Sequence, residues 1–388
     1  MHLALFTDGV YPYVVGGIQK HAQTLAIEWA SRGYRVSLFH PGSGQKRAET
    51  EPLAGFSTEI WPNIQEIIVP FPAPGRLPGH YIRENRAYAR ALLAHLEQMA
   101  DRPDFVYAQA LTGWALAEAR HKGQMDLPPV CASPHGLEMF QLTADWKSRI
   151  GLSLLRTPMR SVLRQADYVH SLGGKLTDIL REQGIRDQQI WEVSGGIPRD
   201  WMRTDVPPMP GKRQHWVFIG RYERRKGIQE LHAVLPELLA AYPVDMTFIG
   251  PIPEEVRLQH AQVRYMGLVQ DSQLIRSTLD HADVLLCPSY AEGMPIVIME
   301  AMARGLAVVA TDVGATRALV PDEVGWCIPP AQISLLRRVL HEVASTPSSA
   351  LHNKKKAALA HIQPFSWELI NDQLLEKIHQ SISLSTLA

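Results

Sequence analysis

HWVFIGRYERRKGIQELHAVLPELLAA, residues 215–241, reads as a strand, a loop and a helix in that order. HWVFI (215–219) is a short strand, GRYERRKG (220–227) is a basic loop, and a helix runs near 227–241. The unit then repeats. VDMTFI (244–249) is a second strand, followed by a strand at 263–269, a helix at 271–281 and a strand at 283–287. A helix at 295–304, a strand at 306–310 and one more short unit complete this half. Strands alternating with helices argue for a parallel sheet covered on both faces.

Upstream, the pattern breaks. GGIPRDWMRTDVPPMPGKRQ (195–214) carries four prolines and three glycines without periodicity, and reads as a linker. Before it the same alternation runs from the N-terminus. HLALFT (2–7) is a buried strand, and 17–31 places Ile18, Ala22, Leu25, Ala26 and Trp29 at helical spacing. Further strands are expected at 34–39, 104–108, 129–133, 167–171 and 189–193, with a long helix between 145 and 165. The last stretch, 366–383, reads as an amphipathic helix carrying Trp367, Ile370, Leu374, Leu375 and Ile378. The expected architecture is therefore α/β, with two Rossmann-like domains whose parallel sheets face each other across a cleft. Their bounds are 1–195 and 215–364, joined by a linker at 196–214 and followed by a terminal helix at 365–388. Ligands of such sheets bind outside the carboxyl ends of the strands, and a domain interface adds a natural pocket.

Length and composition agree with this division. A chain of 388 residues suits two domains, and 46% hydrophobic with 20% charged residues is the range of a globular protein. Thirty-nine basic side chains balance 39 acidic ones, so no whole-chain charge supports nucleic-acid binding. Cys131, Cys287 and Cys327 form no CxxC pair, which argues against a disulfide framework or a zinc site. The start of the chain lacks the basic and long apolar regions of a signal peptide. No apolar run reaches about 18 residues, so no membrane span is expected. A cytoplasmic location follows as the expectation.

Four local anomalies mark where chemistry is expected. Glu300 lies in IVIMEAMA (296–303), a helix apolar on every side, where a lone carboxylate is costly. Either a structural salt bridge or a polar ligand must satisfy it. Eight positions earlier, Glu292 sits in AEGMP directly after the strand at 283–287, and Pro295 suits a first helical position. Free amides around Gly293 and Met294 would then face the cleft, a combination suited to sugar hydroxyls. The second anomaly is the loop 220–227, where Arg221, Arg224, Arg225 and Lys226 face one acid, Glu223, at a helix N-terminus. Cations there oppose the helix dipole, so an anion is expected, with phosphate the natural candidate. Phosphate contact is expected of Arg221 and Lys226, and a solvated basic loop of Arg224 and Arg225. The third is Gly16-Gly17, where missing side chains let a phosphate approach backbone amides. It is not a GxGxxG fingerprint, and none follows any other strand, which counts against a nicotinamide dehydrogenase. The fourth is His135, in SPHGLE just past the strand at 129–133, on the cleft side. No DxD triplet occurs, so the expectation is no metal, with cationic side chains facing the phosphates instead.

Together the GG loop, the HG of 135–136, GRxxxxKG, EGxPxxxxEA and the Trp367 helix resemble glycosyltransferase family 4 over nearly the whole chain. The resemblance implies the GT-B fold and a retaining hexosyltransferase acting on a nucleotide-diphosphate sugar, without a cofactor. It implies that Arg221 and Lys226 bind the diphosphate and Glu300 the ribose hydroxyls. Glu292, with amides at Gly293 and Met294, would hold the transferred sugar. Gly17, beside Gly16, would offer its amide from the opposite domain, and His135 would contact the sugar near the reacting carbon. The N-terminal domain would choose the acceptor, the C-terminal domain would bind the nucleotide, and the terminal helix would cross back to the first domain. Met294 stands where an aromatic is frequent and Tyr222 where an aliphatic is frequent, which blurs the donor assignment. UDP-sugars come first and GDP-mannose second, on family frequency. The acceptor expected is a hydroxyl of a glycolipid or polysaccharide of the cell surface. A nucleotide-sugar epimerase on the same fold and a non-catalytic nucleotide-sugar-binding subunit are the alternatives.

Two basic stretches bear on location. Lys147, Arg149, Arg156, Arg160 and Arg164 face one acid, Asp145, with the four arginines on one helical stripe and Trp146, Leu155, Met159 and Val162 elsewhere on the helix. Arg76, Arg83, Arg86 and Arg90 accompany Tyr81 and Tyr88. Contact with an anionic membrane at the inner face of the plasma membrane is one reading, and ordinary solvated faces the other.

Overall fold

The structure is a computed structural model that describes residues 1–14, 16–42, 51–75 and 79–387. Residues 2–6 form β1 (His2–Phe6), buried along its whole length. A run apolar on both faces is what a central strand under two helical layers requires. The N-terminal domain continues with α1 (Gly17–Ser31), β2 (Arg35–His40), β3 (Ile64–Ile68), α2 (His80–Gln98), β4 (Phe105–Gln109) and α3 (Trp114–His121). It ends with β5 (Val130–Ser133), α4 (Trp146–Gln165), β6 (Tyr168–Ser171), α5 (Lys175–Glu182) and β7 (Ile190–Glu192). Its seven parallel strands lie in the order β3-β2-β1-β4-β5-β6-β7.

The second domain opens with β8 (Gln214–Ile219), α6 (Ile228–Ala241), β9 (Val244–Ile249), β10 (Val263–Tyr265), α7 (Ser272–Asp280) and β11 (Val284–Cys287). It continues with α8 (Ile296–Ala303), β12 (Ala307–Thr311), α9 (Thr316–Leu319), β13 (Gly325–Ile328), α10 (Ile333–Ser345) and α11 (Ser348–His361). Its six strands are ordered β10-β9-β8-β11-β12-β13. Both sheets reverse their winding, beside β1 and β4 in one and beside β8 and β11 in the other. Loops diverge at such a switch point and leave a crevice. The sequence reading did not mark β3, α2 or α3. β3 is a half-exposed edge strand, so it lacks the buried run that identifies the central ones.

The final helix, α12 (Trp367–Leu387), packs on the first domain rather than the second. Ile370, Leu374, Leu375 and Ile378 join Leu25, Ala26 and Trp29 of α1 in one core. Trp29 Nε1 donates to Asn371 Oδ1 at 2.9 Å, and Arg32 pairs with Asp372 at 2.9 Å. The chain thus crosses between domains twice. The two crossings pair with each other: Ile197 N donates to Phe365 O (2.8 Å) and Trp367 N to Ile197 O (3.1 Å). The segment between the domains is correspondingly packed, with Ile197 and Trp201 buried.

One buried ion pair fastens α11 to the second sheet. Lys355 is 1% exposed, and its Nζ donates to Asp283 Oδ1 at 2.8 Å. The other Asp283 oxygen accepts from His215 N at 2.9 Å. Removing one member leaves the other charge buried without compensation. We predict that Lys355→Met destabilises this domain by about 3–5 kcal/mol. Urea unfolding followed by a signal from this domain checks it, and a loss below about 1 kcal/mol would contradict the assignment.

Candidate functional site

The loop after β8 folds as one tight turn over Arg224–Lys226, and Gly227 closes it with φ of 69°. A side-chain carbon at Gly227 would lie 2.0 Å from Pro288 O, so only glycine lets this loop press against the loop after β11. Tyr290 N then donates to Arg225 O at 2.8 Å. The contact brings Lys226 to Glu292. Lys226 Nζ donates to Glu292 Oε1 at 2.6 Å, Ser289 Oγ donates to the same oxygen at 2.7 Å, and Arg225 Nη1 reaches Oε2 at 3.3 Å. Glu292 is buried, and these partners are what make its burial tolerable.

This geometry corrects the expectation that Arg224 and Arg225 are merely solvated. Arg225 also donates to Ala291 O at 3.0 Å. Arg224 lies over the Tyr290 ring, 4.8 Å from its centroid, and pairs with Glu230 at 2.6 Å. The closed loop turns both inward toward carboxylates that need partners. Arg221 behaves differently: its side chain is 71% exposed and its Nε pairs with Glu223 at 3.0 Å.

Pro295 caps α8, one position before its first helical residue. Among the described residues, no hydrogen bond reaches the amides of Gly293 or Met294. Gly293 O accepts from Ala315 N at 2.8 Å, which holds the loop. One turn into α8, the Glu300 carboxyl has no hydrogen bond or ion pair among the described residues, so the structural salt bridge is not found there. Burial pushes its carboxyl up to about 7, and the nearby charge of Lys20 draws it back.

The opposite wall comes from the first domain. Beyond β5 the chain makes a tight turn in which Gly136 N donates to Pro134 O at 2.9 Å. His135 is held there at φ of 61°, a left-handed conformation that is costly for a histidine. Its Nε2 is buried with no hydrogen-bond partner among the described residues. Burial, and next the charge of His170, push the imidazole down to about 3, so it is neutral at ordinary pH. Its ring stands edge-on to His21, with centroids 4.9 Å apart, and His21 in turn lies 5.2 Å from Trp367. The two walls touch directly. A side-chain carbon on Gly293 would lie 3.1 Å from His135 O.

Between the walls lies a pocket of about 210 Å³. Gly17, His135, Gly293, Met294 and Glu300 line it, with Lys20, His21, Glu138 and Trp367. Gly17 opens α1, and Ile296 opens α8 opposite, where a carbon on Gly17 would be 3.6 Å from Ile296 Cδ1. Two helix N-termini therefore converge on the pocket, an arrangement that favours anions. Gly16 is the extended N-cap of α1 and does not line it. Lys226 and Glu292 form their pair next to Gly293, and Arg221 stays on the outer side of its loop. Among the described residues, no three histidine, cysteine or carboxylate side chains gather as metal ligands would.

Sequence reading missed Gln141. Its Nε2 donates to Gly136 O at 2.5 Å and to Glu292 O at 2.6 Å, and its Oε1 accepts from Glu292 N at 3.4 Å. One side chain thus bridges the two loops that carry His135 and Glu292. A single glutamine in an irregular loop has no periodicity or spacing to betray it. His21 was likewise invisible, being one more residue of an amphipathic helix.

Comparison with known proteins gives a consistent result. The model described as Glycosyltransferase Family 4 matches residues 15–201, and that described as Glycosyl transferases group 1 matches 213–344. The chain is 24% identical over 397 residues to the phosphatidyl-myo-inositol mannosyltransferase of Mycobacterium tuberculosis, covering 96% of each. It is 22% identical over 377 residues to the glycogen synthase of the same organism, covering 92% of this chain and 90% of that one. The solved structure of sucrose-phosphate synthase from Thermosynechococcus elongatus superposes with a TM-score of 0.77 at 19% identity, over 99% of both chains.

Two measurements follow from the geometry. Gln141→Ala is expected to speed hydrogen exchange at the Glu292 and Ala315 amides by roughly tenfold, the effect of losing about 1.4 kcal/mol of local stability, with the melting temperature little changed. Unchanged exchange would show that the bridge is idle. Glu300 has its folded pKa raised from 4.5 to about 7, so the folded state keeps a proton that the unfolded chain releases. Stability should therefore fall as pH rises from 4.5 to 7, and level off above. Glu300→Gln removes that loss. Its melting temperature should exceed the parent's at pH 8, and the gap should close toward pH 4.5. A gap independent of pH would contradict the burial of this carboxyl.

Proposed function

The chain belongs to glycosyltransferase family 4, and from that premise we propose a retaining transferase that needs no metal. It moves a hexose from a nucleotide-diphosphate donor to a hydroxyl acceptor. The observation that carries this reading is a pair of side-chain groups without hydrogen-bond partners among the described residues, on opposite walls of one pocket: the buried Nε2 of His135 from the first domain and, from the second, the Glu300 carboxyl, which lines the pocket half-buried. Buried polar groups without partners are costly, and a ligand rich in hydroxyls relieves both.

On this reading Glu300 accepts the ribose hydroxyls, and His135 lies against the sugar near the reacting carbon. Cleavage at that carbon leaves an anionic diphosphate and a cation-like sugar. Lys226 exchanges its present partner, Glu292 Oε1, for a diphosphate oxygen, and Arg221 swings in from the surface to join it. The α1 amides at Gly17 face the phosphates from the other side. Release of Lys226 frees Glu292 to hold a sugar hydroxyl alongside the amides of Gly293 and Met294. Groups already aimed at the developing charge lower the barrier most. Retention without a paired nucleophile implies attack by the acceptor hydroxyl from the same face as departure.

UDP-sugars remain the first donor class and GDP-mannose the second. The acceptor is a cell-surface glycolipid or polysaccharide, in line with relatives named for both a phosphoinositide and a glucan. The reaction belongs at the cytoplasmic face of the plasma membrane. No helix among the described residues is long and apolar enough to cross a membrane.

A thermal-shift panel of UDP, GDP, ADP and their sugars tests the donor site. A ligand at about 100 times its Kd adds about 2.7 kcal/mol of stability. One nucleotide should stabilise the parent and not Glu300→Ala, and no response from any would count against the reading. Lys226→Ala should lower turnover by about a hundredfold, which corresponds to about 3 kcal/mol. Arg225 and Ser289 still satisfy Glu292 in that variant, so the fold is retained. Near-normal turnover would remove Lys226 from the mechanism.

A further inference from the structure

The C-terminal part of α4 buries Pro158, Met159, Val162 and Leu163 in the domain core, whereas its first three turns pack on that core through Leu152 and Leu155 and are otherwise largely exposed. On their outer face Trp146, Ile150 and Leu154 recur every four residues and are 68%, 58% and 53% exposed. Leu142, just before the helix, is exposed beside them. Such spacing places the three on one stripe, turned away from the residues that face the core. A contiguous exposed apolar face of this kind marks a contact surface.

The charges around the stripe identify the contact. Lys147, Arg149, Arg156, Arg160 and Arg164 have no acidic partner among the described residues. The one acid within 145–164, Asp145, is engaged as the helix cap: its two oxygens accept from Ser148 N and Ser148 Oγ, both at 2.8 Å. The expected arginine stripe is itself partly redirected. Arg156 donates to Met139 O, while Arg160 and Arg164 bind Gln183. These anchors use neutral acceptors and leave every positive charge uncompensated. The second basic stretch does not act alike. Arg86 lies over Trp114 and pairs with Glu118, and Arg76 lies outside the described residues.

We propose that the outer face of the first three turns of α4 seats the protein on an anionic lipid bilayer. Trp146, Ile150 and Leu154 enter the headgroup boundary, and Lys147 and Arg149 flank them toward the phosphates. Tryptophan and aliphatic residues framed by cations are the composition of a helix lying in that interface. A second copy of the chain fits worse, because a two-fold contact would bring the same unpaired cations face to face. The site of attachment also has a use. A groove of about 500 Å³ runs between Asp145, Ser148 and Leu152 on one side and Glu223, Arg224 and Arg225 on the other. On the transferase reading, on which this last step rests, an acceptor hydroxyl held by a lipid in the same bilayer would enter the cleft through that groove.

The test uses the full chain without any nucleotide. It is floated with vesicles of phosphatidylcholine alone and with vesicles that also contain phosphatidylglycerol. Binding is expected only to the anionic vesicles and should weaken steeply with salt. The triple variant Trp146→Gln, Ile150→Gln, Leu154→Gln should lose at least roughly tenfold in partitioning, as should Lys147→Glu with Arg149→Glu. Both should keep the parent's melting temperature and its nucleotide-induced shift. Failure of the parent to float at low salt, or flotation of the triple variant like the parent, overturns the proposal. So does a parent dimer in sedimentation that the triple variant abolishes. Because no donor is present, each of these results leaves the transferase reading standing, and failure of the nucleotide panel leaves this one standing.

Discussion

A carboxylate cannot be buried alone, and the geometry of this cleft follows from how Glu292 is accommodated. Its two oxygens are met by Lys226, Arg225 and Ser289, which requires the loop after β8 to lie against the loop after β11. That approach is open only to a backbone without a side chain at Gly227. Once the two loops are joined, the main chain of Glu292 and Gly293 is rigid enough to be read by the other domain. Gln141 reads it with two hydrogen bonds while a third holds Gly136 O of its own loop, and the left-handed turn at His135 packs against Gly293. One electrostatic requirement thus organises two loops of one domain and the facing loop of the other.

Against that background the exceptions carry the information. Glu292 has every partner it needs, while Glu300, eight residues on, has none among the described residues. His135 Nε2 is in the same position across the pocket. A fold that satisfies one buried carboxylate so fully leaves two polar groups of the adjoining cavity, the Glu300 carboxyl and His135 Nε2, open to the hydrogen bonds of a ligand. The raised carboxyl and the lowered imidazole share one cause, loss of water around a group with no substitute for it.

The domains are coupled through their covalent connections as well as across the pocket. The outgoing segment at Ile197 and the returning segment at Phe365–Trp367 hydrogen-bond to each other, so any change in the angle between domains is felt at Trp367. Trp367 itself stands in the pocket wall beside His21. The anchoring of α12 by Trp29 and Arg32 makes the first domain carry both ends of the chain.

Much of this was legible in residue order. Near-continuous apolar strands between amphipathic helices announce two parallel sheets, because period and burial are local properties of a segment. Glu300 and Glu292 stood out because a charge in an apolar helix or after a buried strand violates a local rule, and Gly17, Met294 and His135 lay at strand or helix ends where such sheets expose their loops. What residue order could not supply was pairing. Arg225 and Lys226 are neighbours of the same chemical type as Arg221, yet two of them turn inward and one stays in water, a difference created where Gly227 lets their loop press against the loop after β11. Gln141 and His21 have no signature at all, since their roles depend on which residues the other domain places opposite. The arginine stripe of α4 and Trp146 were visible, whereas the exposed face that Trp146 forms with Ile150 and Leu154 was not, because exposure is a property of what fails to pack above a residue. Local sequence sets period, propensity and charge; contact between segments far apart in the chain exists only once both sheets have closed on each other.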